Sequence, residues 1–132
     1  MTLDEEGHRR QRFYFGGDSG YCPAFKEIGA EYGPFDVAAI PIGAYEPRWF
    51  MKDAHVDPQG ALDIHDDIKS KHSIGIHWGT FPLAGDAWNE PPMELGKERD
   101  KRGMEPDTFF VLRPGECWSP GMTTRRPFLD QQ

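Results

Sequence analysis

Two polar residues of this sequence stand where predicted strands end, and their types suit metal chemistry. Asp18 lies in the glycine-rich turn 16–20, directly after a predicted strand at 12–15, and His77 lies near the end of a predicted strand at 73–78. Ligands in layered α/β folds gather where strands end and loops begin, so we expect both side chains at one site. A carboxylate with an imidazole is a zinc-type pair. From these residues alone the alternative stays open that Asp18 only forms a turn and His77 only packs in the core.

The elements that would position this pair alternate along the chain. Short apolar or β-branched runs predict four strands, at 12–15, 37–42, 73–78 and 109–112. One-sided apolar spacing predicts three helices, at 23–32, 57–71 and 92–103. Asp57 is a favourable N-cap for the second helix, with Pro58 at its first position. The alternation predicts an α/β layered architecture.

The segment 43–51 combines aromatic residues with proline and glycine, and we predict an irregular loop there. Trp49 and Phe50 beside Arg48 suit a lipid interface or an acyl-chain cavity. The alternative is packing against the rest of the protein, which we favour for most of the loop.

Composition and charge narrow the class of protein. The net charge of −7 argues against nucleic-acid binding, which needs a basic face. No apolar run reaches the length of a transmembrane helix, and residues 1–11 are charged rather than signal-like. Cys22 and Cys117 have no C-x-x-C spacing, which favours a reducing compartment over a cysteine metal site. We therefore expect an intracellular protein, cytoplasmic or peripheral on a membrane.

Four stretches carry a family resemblance, and they are GDSGYCPAF at 17–25, IPIGAYEPRWFM at 40–51, HVDP at 55–58 and IHWGTF at 76–81. In this order they resemble the N-acyl-phosphatidylethanolamine-hydrolysing phospholipase D family. The resemblance covers about residues 12–116, which we assign to the C-terminal half of a metallo-β-lactamase-like domain. Residues 1–11 are then a polar leader, and residues 117–132 a flexible tail.

The resemblance implies an α/β fold, the C-terminal half of a metallo-β-lactamase αββα sandwich, with a site for two zinc ions in the complete fold. Asp18 stands where the family places its bridging aspartate, and His77 where it places the last histidine ligand. His55 matches a histidine near the substrate phosphate, where it can donate a hydrogen bond or a proton. The alternative for His55 is a capping role before the helix at 57–71. The implied reaction, with Asp18 and His55 as catalytic residues, hydrolyses a phospholipid phosphodiester into an N-acylethanolamine and phosphatidic acid.

One departure from the family bears on activity. The other metal ligands of the family lie in an H-x-H-x-D-H motif, which these 132 residues do not contain. Catalytic zinc normally has three protein ligands and an open position, so two candidate ligands for two ions leave the site incomplete. We therefore expect the isolated chain to be poor in metal and inactive. A partial gene model, an alternative start and a degenerate copy would each account for such a sequence.

Three functions stay open. The one that we rank first is a fragment of an active lipid phosphodiesterase, with a phospholipid substrate and docking on a membrane surface. The second is another hydrolase of the same fold, acting on a different phosphodiester or a lactone. The third is a non-catalytic module that folds only against a partner half or as a homodimer, because half a sandwich exposes a sheet edge and a core face.

Overall fold

The computed structural model describes residues 3–122 and 126–127, and within them four parallel strands form the central sheet in the order β1-β2-β3-β4. The strands are β1 (Phe13–Phe15), β2 (Phe35–Pro41), β3 (Ser70–Ile76) and β4 (Phe109–Phe110). Because all three pairings are parallel, the carboxyl ends of the strands lie along one edge of the sheet. The four predicted strands are present, and the predicted α/β architecture is confirmed.

The described residues also form four helices, which are α1 (Ala24–Tyr32), α2 (Arg48–Met51), α3 (Pro58–Asp67) and α4 (Glu90–Lys101). Helix α3 begins as predicted, because the Asp57 carboxylate accepts a hydrogen bond of 2.8 Å from the Gly60 amide. Its predicted end near residue 71 was wrong. Lys69 adopts a left-handed backbone conformation with φ of +58°, which stops the helix and lets β3 start at Ser70.

Helix α2 lies in the segment 43–51, where the sequence predicted an irregular loop, so that prediction was wrong in part. Tyr45 is buried, as expected for packing, whereas Trp49 and Phe50 on α2 are 79% and 68% exposed. Packing within the described residues therefore accounts for Tyr45 but not for these two aromatic side chains.

The hydrophobic core lies between the sheet and helices α1, α3 and α4, which share one buried cluster with the strands. Ala38, Ile40 and Ile42 alternate along β2 and its extension and are fully buried or nearly so. On the edge strand β1, Phe13 and Phe15 point away from that core and are 62% and 67% exposed. In the described residues, one face of the sheet is thus covered by helices, and on the other face the edge strand β1 presents Phe13 and Phe15 to solvent.

A buried carboxylate ties the amino-terminal segment to the sheet. Asp36 on β2 accepts a hydrogen bond of 2.9 Å from the Arg12 amide and pairs with Arg9 and, at 2.9 Å, with Lys71. Burial by itself would raise the pKa of Asp36, but the Arg12 amide and the Lys71 ammonium outweigh it and the pKa is lowered. Arg9 belongs to the segment predicted as a polar leader, so that part of the leader contacts the domain.

Part of the segment predicted as a flexible tail is described. A strand β5 (Glu116–Cys117) pairs antiparallel with β6 (Arg126–Pro127), and Trp118 packs against Phe110 and His72. The rest of the predicted tail, 123–125 and 128–132, lies outside the described residues.

No helix in the described part of the chain has both the length and the apolar character needed to cross a membrane.

One histidine belongs to the core rather than to the surface. The side chain of His65 is buried on α3, its Nδ1 lies 2.7 Å from the Ser73 hydroxyl, and its ring lies 5.6 Å from that of Phe109. Burial lowers the pKa of His65 below its ordinary value of 6.5, since the imidazolium form would be poorly solvated there. Below about pH 6.5, His65 therefore binds a proton more readily in the unfolded chain than in the folded chain.

We predict that this difference makes the fold acid-sensitive. The stabilisation should be fully present above about pH 6.5 and should be lost as the pH falls toward the lower pKa of the folded state, by up to about 1.4 kcal/mol per pH unit. Urea unfolding at pH 7.5 and 5.5 measures the effect. The difference in the free energy of unfolding between pH 7.5 and pH 5.5 should be smaller in His65→Asn than in the wild type. It should be unchanged in His8→Asn, because the His8 side chain is exposed. An equal pH dependence in His65→Asn and the wild type would contradict the prediction.

Candidate metal centre

The two predicted metal ligands meet at the carboxyl edge of the sheet. Asp18 lies three residues after β1, and His77 directly follows β3. His77 Nε2 lies 3.1 Å from Asp18 Oδ1. The side chain of Asp18 is 67% exposed and that of His77 is 20% exposed, so the pair faces outward from this edge. The structure therefore brings together the two residues that the sequence singled out, while their role as ligands stays a prediction.

The backbone orients His77 for this contact. His77 has a left-handed conformation with φ of +61°, which turns its side chain away from the direction of β3. Its Nδ1 lies 3.3 Å from the Gly43 carbonyl oxygen, which can only accept a hydrogen bond, so Nδ1 is the donor in this contact. Nε2 is then the nitrogen presented to Asp18. Metal-binding histidines commonly have this arrangement, with one ring nitrogen hydrogen-bonded to a backbone carbonyl and the other directed at the metal.

The donor set fits a divalent cation. A neutral His77 with its proton on Nδ1 presents a lone pair to the carboxylate of Asp18, and two electron-rich atoms at 3.1 Å need a proton or a cation between them. Zinc–ligand bonds of about 2.0–2.2 Å at tetrahedral angles separate neighbouring ligand atoms by roughly 3.3–3.6 Å. The observed separation is within a few tenths of an ångström of that value, so these two groups can share one ion after a small adjustment.

His55 lies against this pair. Its ring stacks on that of His77 with the centroids 5.0 Å apart and the planes 20° apart. Asp57, not His55, caps α3, so the capping alternative for His55 is not what the structure shows. The Nδ1 atom of His55 is buried without a hydrogen-bond partner in the described residues. An unpaired buried nitrogen destabilises the fold by about 1–3 kcal/mol, so a polar partner at His55 Nδ1 would stabilise it.

The segment that carries His55 is fastened to the loop that carries Asp18. The Val56 amide donates a hydrogen bond of 2.9 Å to the Ser19 carbonyl, and the His55 carbonyl accepts one of 2.9 Å from Arg48. At Gly20 an added Cβ would lie 2.5 Å from the Asp53 carbonyl oxygen, so only glycine permits this close approach of the two backbones. Asp18 and His55 are therefore positioned together.

The described residues do not complete a metal site. Within 3–122 and 126–127, no group of three or more histidine, cysteine, aspartate or glutamate side chains is placed to hold a metal. His65 lies in the core, and His72 bonds to the Asp107 carbonyl and contacts Trp118, in line with the packing roles expected of them. This agrees with the absence of an H-x-H-x-D-H motif from the sequence.

A cavity of about 170 Å³ opens beside His77. Its walls are largely aromatic and aliphatic, with Trp78, Phe81, Leu83 and Trp88 among them. Sequence reasoning identified none of these as a group, because a loop with mixed proline, glycine and aromatic residues has no periodicity to reveal which side chains converge. The cavity places apolar surface directly next to the candidate ligands.

Two acidic residues were also missed from the sequence, Asp86 in the same loop and Glu90 at the start of α4. The Asp86 carboxylate accepts hydrogen bonds from the amides of Ala44, Tyr45 and Glu46, at 3.1–3.3 Å. Glu90 accepts a hydrogen bond of 2.7 Å from the Tyr45 hydroxyl. Burial, followed by this hydrogen bond, raises the pKa of Tyr45. These contacts hold the segment after β2 in place next to His77.

The chain matches a protein family and several known proteins. A family model described as a beta-lactamase superfamily domain matches residues 3–78, the part that holds Asp18, His55 and His77. The chain is 50% identical over 111 residues to N-acyl-phosphatidylethanolamine-hydrolyzing phospholipase D 1 of Caenorhabditis elegans, covering 82% of this chain and 31% of that protein. A mitochondrial protein of the same name in Saccharomyces cerevisiae is 36% identical over 90 residues, covering 67% of this chain and 19% of that protein.

A solved structure supports the fold. The chain is similar to a metallo hydrolase from the archaeon Ignicoccus hospitalis, with a TM-score of 0.51 and 24% identity, covering 87% of this chain and 41% of the other. At that identity the likeness bears on the fold alone. The chain spans less than a third of the length of the Caenorhabditis elegans relative, so the described strands and helices correspond to a part of such proteins.

We predict that the contact between the strand ends depends on Gly43. A Cβ at this position would lie 2.3 Å from the His77 carbonyl oxygen, so Gly43→Ala should push the end of β3 away and separate His77 from Asp18. Gly96→Ala on α4 is the matched control, because a Cβ there meets nothing within 4 Å. The control should leave the His77 ring signals in NMR spectra unchanged and raise stability by about 0.5–1 kcal/mol. Unshifted His77 signals in Gly43→Ala would contradict the prediction.

Proposed function

Since this chain belongs to the metallo-β-lactamase superfamily, as a relative of N-acyl-phosphatidylethanolamine-hydrolysing phospholipases D, we propose that it forms part of a zinc-dependent phosphodiesterase active site. The observation that carries the proposal is the meeting of His77 Nε2 and Asp18 Oδ1 at 3.1 Å. The substrate class is a phospholipid with an N-acylethanolamine headgroup. The products are the N-acylethanolamine and phosphatidic acid.

Each residue has a role that follows from its surroundings. His77 would hold a metal through Nε2, because its Nδ1 proton is directed at the Gly43 carbonyl. Asp18 would hold a metal through its carboxylate, which is largely exposed at the edge of the sheet. When bound, zinc ions would lower the pKa of a shared water toward neutrality and offset negative charge on the phosphate.

His55 acts on the substrate rather than on the metal in this proposal. Its ring is stacked on His77, within reach of a phosphate held at that site, and can donate a hydrogen bond or a proton to it. The unpaired Nδ1 supports the view that the described residues supply only part of the surroundings of His55. The apolar cavity beside His77 suits the hydrocarbon portion of a lipid.

Catalysis in this proposal requires further ligands, because Asp18 and His77 cannot satisfy two catalytic zinc ions. We expect no N-acylethanolamine release by the 132-residue chain alone. The test is therefore a chimaera in which residues 12–116 replace the matching segment of the Caenorhabditis elegans relative. Mass spectrometry of N-acylethanolamine release and elemental analysis of bound zinc are the two measurements.

We predict that the chimaera binds zinc and hydrolyses the lipid, and that both properties depend on the proposed ligands. Asp18→Ala should remove most of the zinc and most of the activity, since a carboxylate shared by two ions is lost. His77→Ala should weaken binding of one ion more than it weakens folding. Asp100→Ala, which removes an exposed carboxylate on α4, is the control and should change neither measurement.

Other outcomes would favour the other functions. A chimaera that binds zinc and hydrolyses another phosphodiester or a lactone, but releases no N-acylethanolamine, would favour a different hydrolase of the same fold. Full zinc content in both Asp18→Ala and His77→Ala would refute their assignment as ligands. Stable folding of the 132-residue chain without zinc, together with an inactive chimaera, would favour a non-catalytic module.

For His55 we predict a catalytic defect without metal loss. His55→Ala in the chimaera should lower kcat by about 10²-fold or more, the usual effect of losing a general acid or a phosphate-binding imidazole, while zinc content stays constant. His72→Gln serves as the comparison, because His72 lies against Trp118 and away from the candidate ligands. If zinc is lost together with activity in His55→Ala, then His55 acts as a ligand or supports the fold instead.

A further inference from the structure

One peptide group beside the candidate metal centre is held from both sides. The peptide between Gly43 and Ala44 accepts a hydrogen bond at its carbonyl oxygen from His77 Nδ1, at 3.3 Å. The amide of the same peptide donates one to Asp86 Oδ2, at 3.2 Å. Because a peptide group is planar, its N–H and C=O directions are coupled, and an acceptor placed at the amide determines where the carbonyl points. Asp86 and His77 are therefore linked through a single rigid group.

The link is reinforced by the neighbouring amides. Asp86 Oδ1 accepts from the amides of Tyr45, at 3.1 Å, and Glu46, at 3.3 Å, so one carboxylate receives three successive backbone donors. A second tie closes the loop, since the Gly85 amide donates to the Glu46 carbonyl at 3.0 Å. Successive backbone amides that converge in this way form an anion-binding concavity. The carboxylate of Asp86 occupies it.

Ala44 shows why this part of the chain needs an anchor. It adopts a left-handed conformation with φ of +63°, which is unfavourable by about 1 kcal/mol or more for a residue other than glycine. Without an acceptor at its amide, Ala44 would relax toward ordinary backbone angles and the peptide before it would rotate. Rotation of that peptide would turn the Gly43 carbonyl away from His77 Nδ1.

We propose that Asp86 is a positioning residue for the metal site, acting through the Gly43–Ala44 peptide to hold the proton of His77 on Nδ1 and to direct Nε2 at Asp18. The negative charge also polarises the peptide, because its carbonyl becomes a stronger acceptor when its amide donates to a carboxylate. Metal-binding histidines are often oriented by a carboxylate in direct contact, and here a peptide group stands between the two. The inference rests on the proposed metal role of His77.

A purely structural alternative is that Asp86 only tethers two loops. The two roles differ in what they do to the imidazole. A tether affects the stability of the loop, whereas the positioning role also affects which ring nitrogen of neutral His77 carries the proton. Asp18 competes for that proton at Nε2, so the balance between the two tautomers responds to the strength of the Gly43 contact.

The experiment measures ¹⁵N shifts of the His77 ring and amide exchange rates in the 132-residue chain without metal, at a pH where the ring is neutral. Asp86→Asn keeps the shape but replaces one accepting oxygen by a donating NH₂ group. It should shift the tautomer ratio toward Nε2–H by up to about tenfold, the effect of weakening one hydrogen bond, and speed exchange at the Ala44 amide. Asp100→Asn makes the same chemical change in an exposed ion pair on α4 and should alter neither.

An unchanged tautomer ratio in a folded Asp86→Asn chain would overturn the proposal. If that variant fails to fold, amide exchange in the wild-type chain still tests the proposal. The amides of Ala44, Tyr45 and Glu46 must be protected from exchange if they donate to Asp86. Exchange at Ala44 as fast as in an unstructured peptide would overturn it.

Titration of the wild-type chain with Zn²⁺ distinguishes the metal role of His77 from the link between Asp86 and His77. Shifts of the His77 and Asp18 signals on zinc addition support the proposed metal role, and their absence counts against that role alone. A tautomer shift in Asp86→Asn without any response to zinc would leave the link from Asp86 to His77 standing while removing its metal function. A response to zinc with no tautomer shift would support the metal role of His77 and would overturn the link from Asp86 to His77.

Discussion

The parallel pairing of β2 with both β1 and β3 is the constraint on which the candidate site depends. Phe15 pairs with Ala39, and Pro41 pairs with Ile76, so the strands flanking β2 run in the same direction and end at the same edge. The ladder continues past the strand ends, where the Ile42 amide bonds to the Ile76 carbonyl at 3.0 Å. A shift of β3 by one residue would turn its side chains to the opposite face and would move His77 along the sheet edge relative to Gly43 and Asp18.

Close backbone contacts transmit this register to the loops. Gly43 lies so near the His77 carbonyl that no side chain fits between them, and the same is true of Gly20 and the Asp53 carbonyl. The first contact joins the segment after β2, which carries Ala44, to the end of β3, and the second joins the loop after β1, which carries Asp18, to the segment after α2, which carries His55. The backbone segments that carry these polar side chains are therefore held close together.

In the part of the chain that the structure describes, helices cover the sheet on one side only. Phe13 and Phe15 on β1 are exposed on the other side, although such side chains ordinarily lie inside a two-layered or three-layered core. This is the surface that half of an αββα sandwich presents. The candidate metal site is likewise only partly supplied by the described residues. Asp18 and His77 are two candidate ligands, and a catalytic zinc ion normally has three protein ligands.

Much of the fold and the central pair of the site followed from the sequence by itself. Apolar runs and caps are local signals, so the strands, the Asp57 cap and the positions of Asp18 and His77 at strand ends could be predicted. The association of His55 with them came from long motifs shared with a family.

Only the tertiary structure decided the details that depend on contacts between distant residues. Asp86 lies 42 residues from Ala44 in sequence and binds its amide, and no local pattern indicates that contact. The left-handed conformations of Ala44, Lys69 and His77 likewise oppose the preferences of those residue types. A left-handed conformation costs a residue other than glycine about 1–2 kcal/mol, which hydrogen bonds and close packing between separate segments offset.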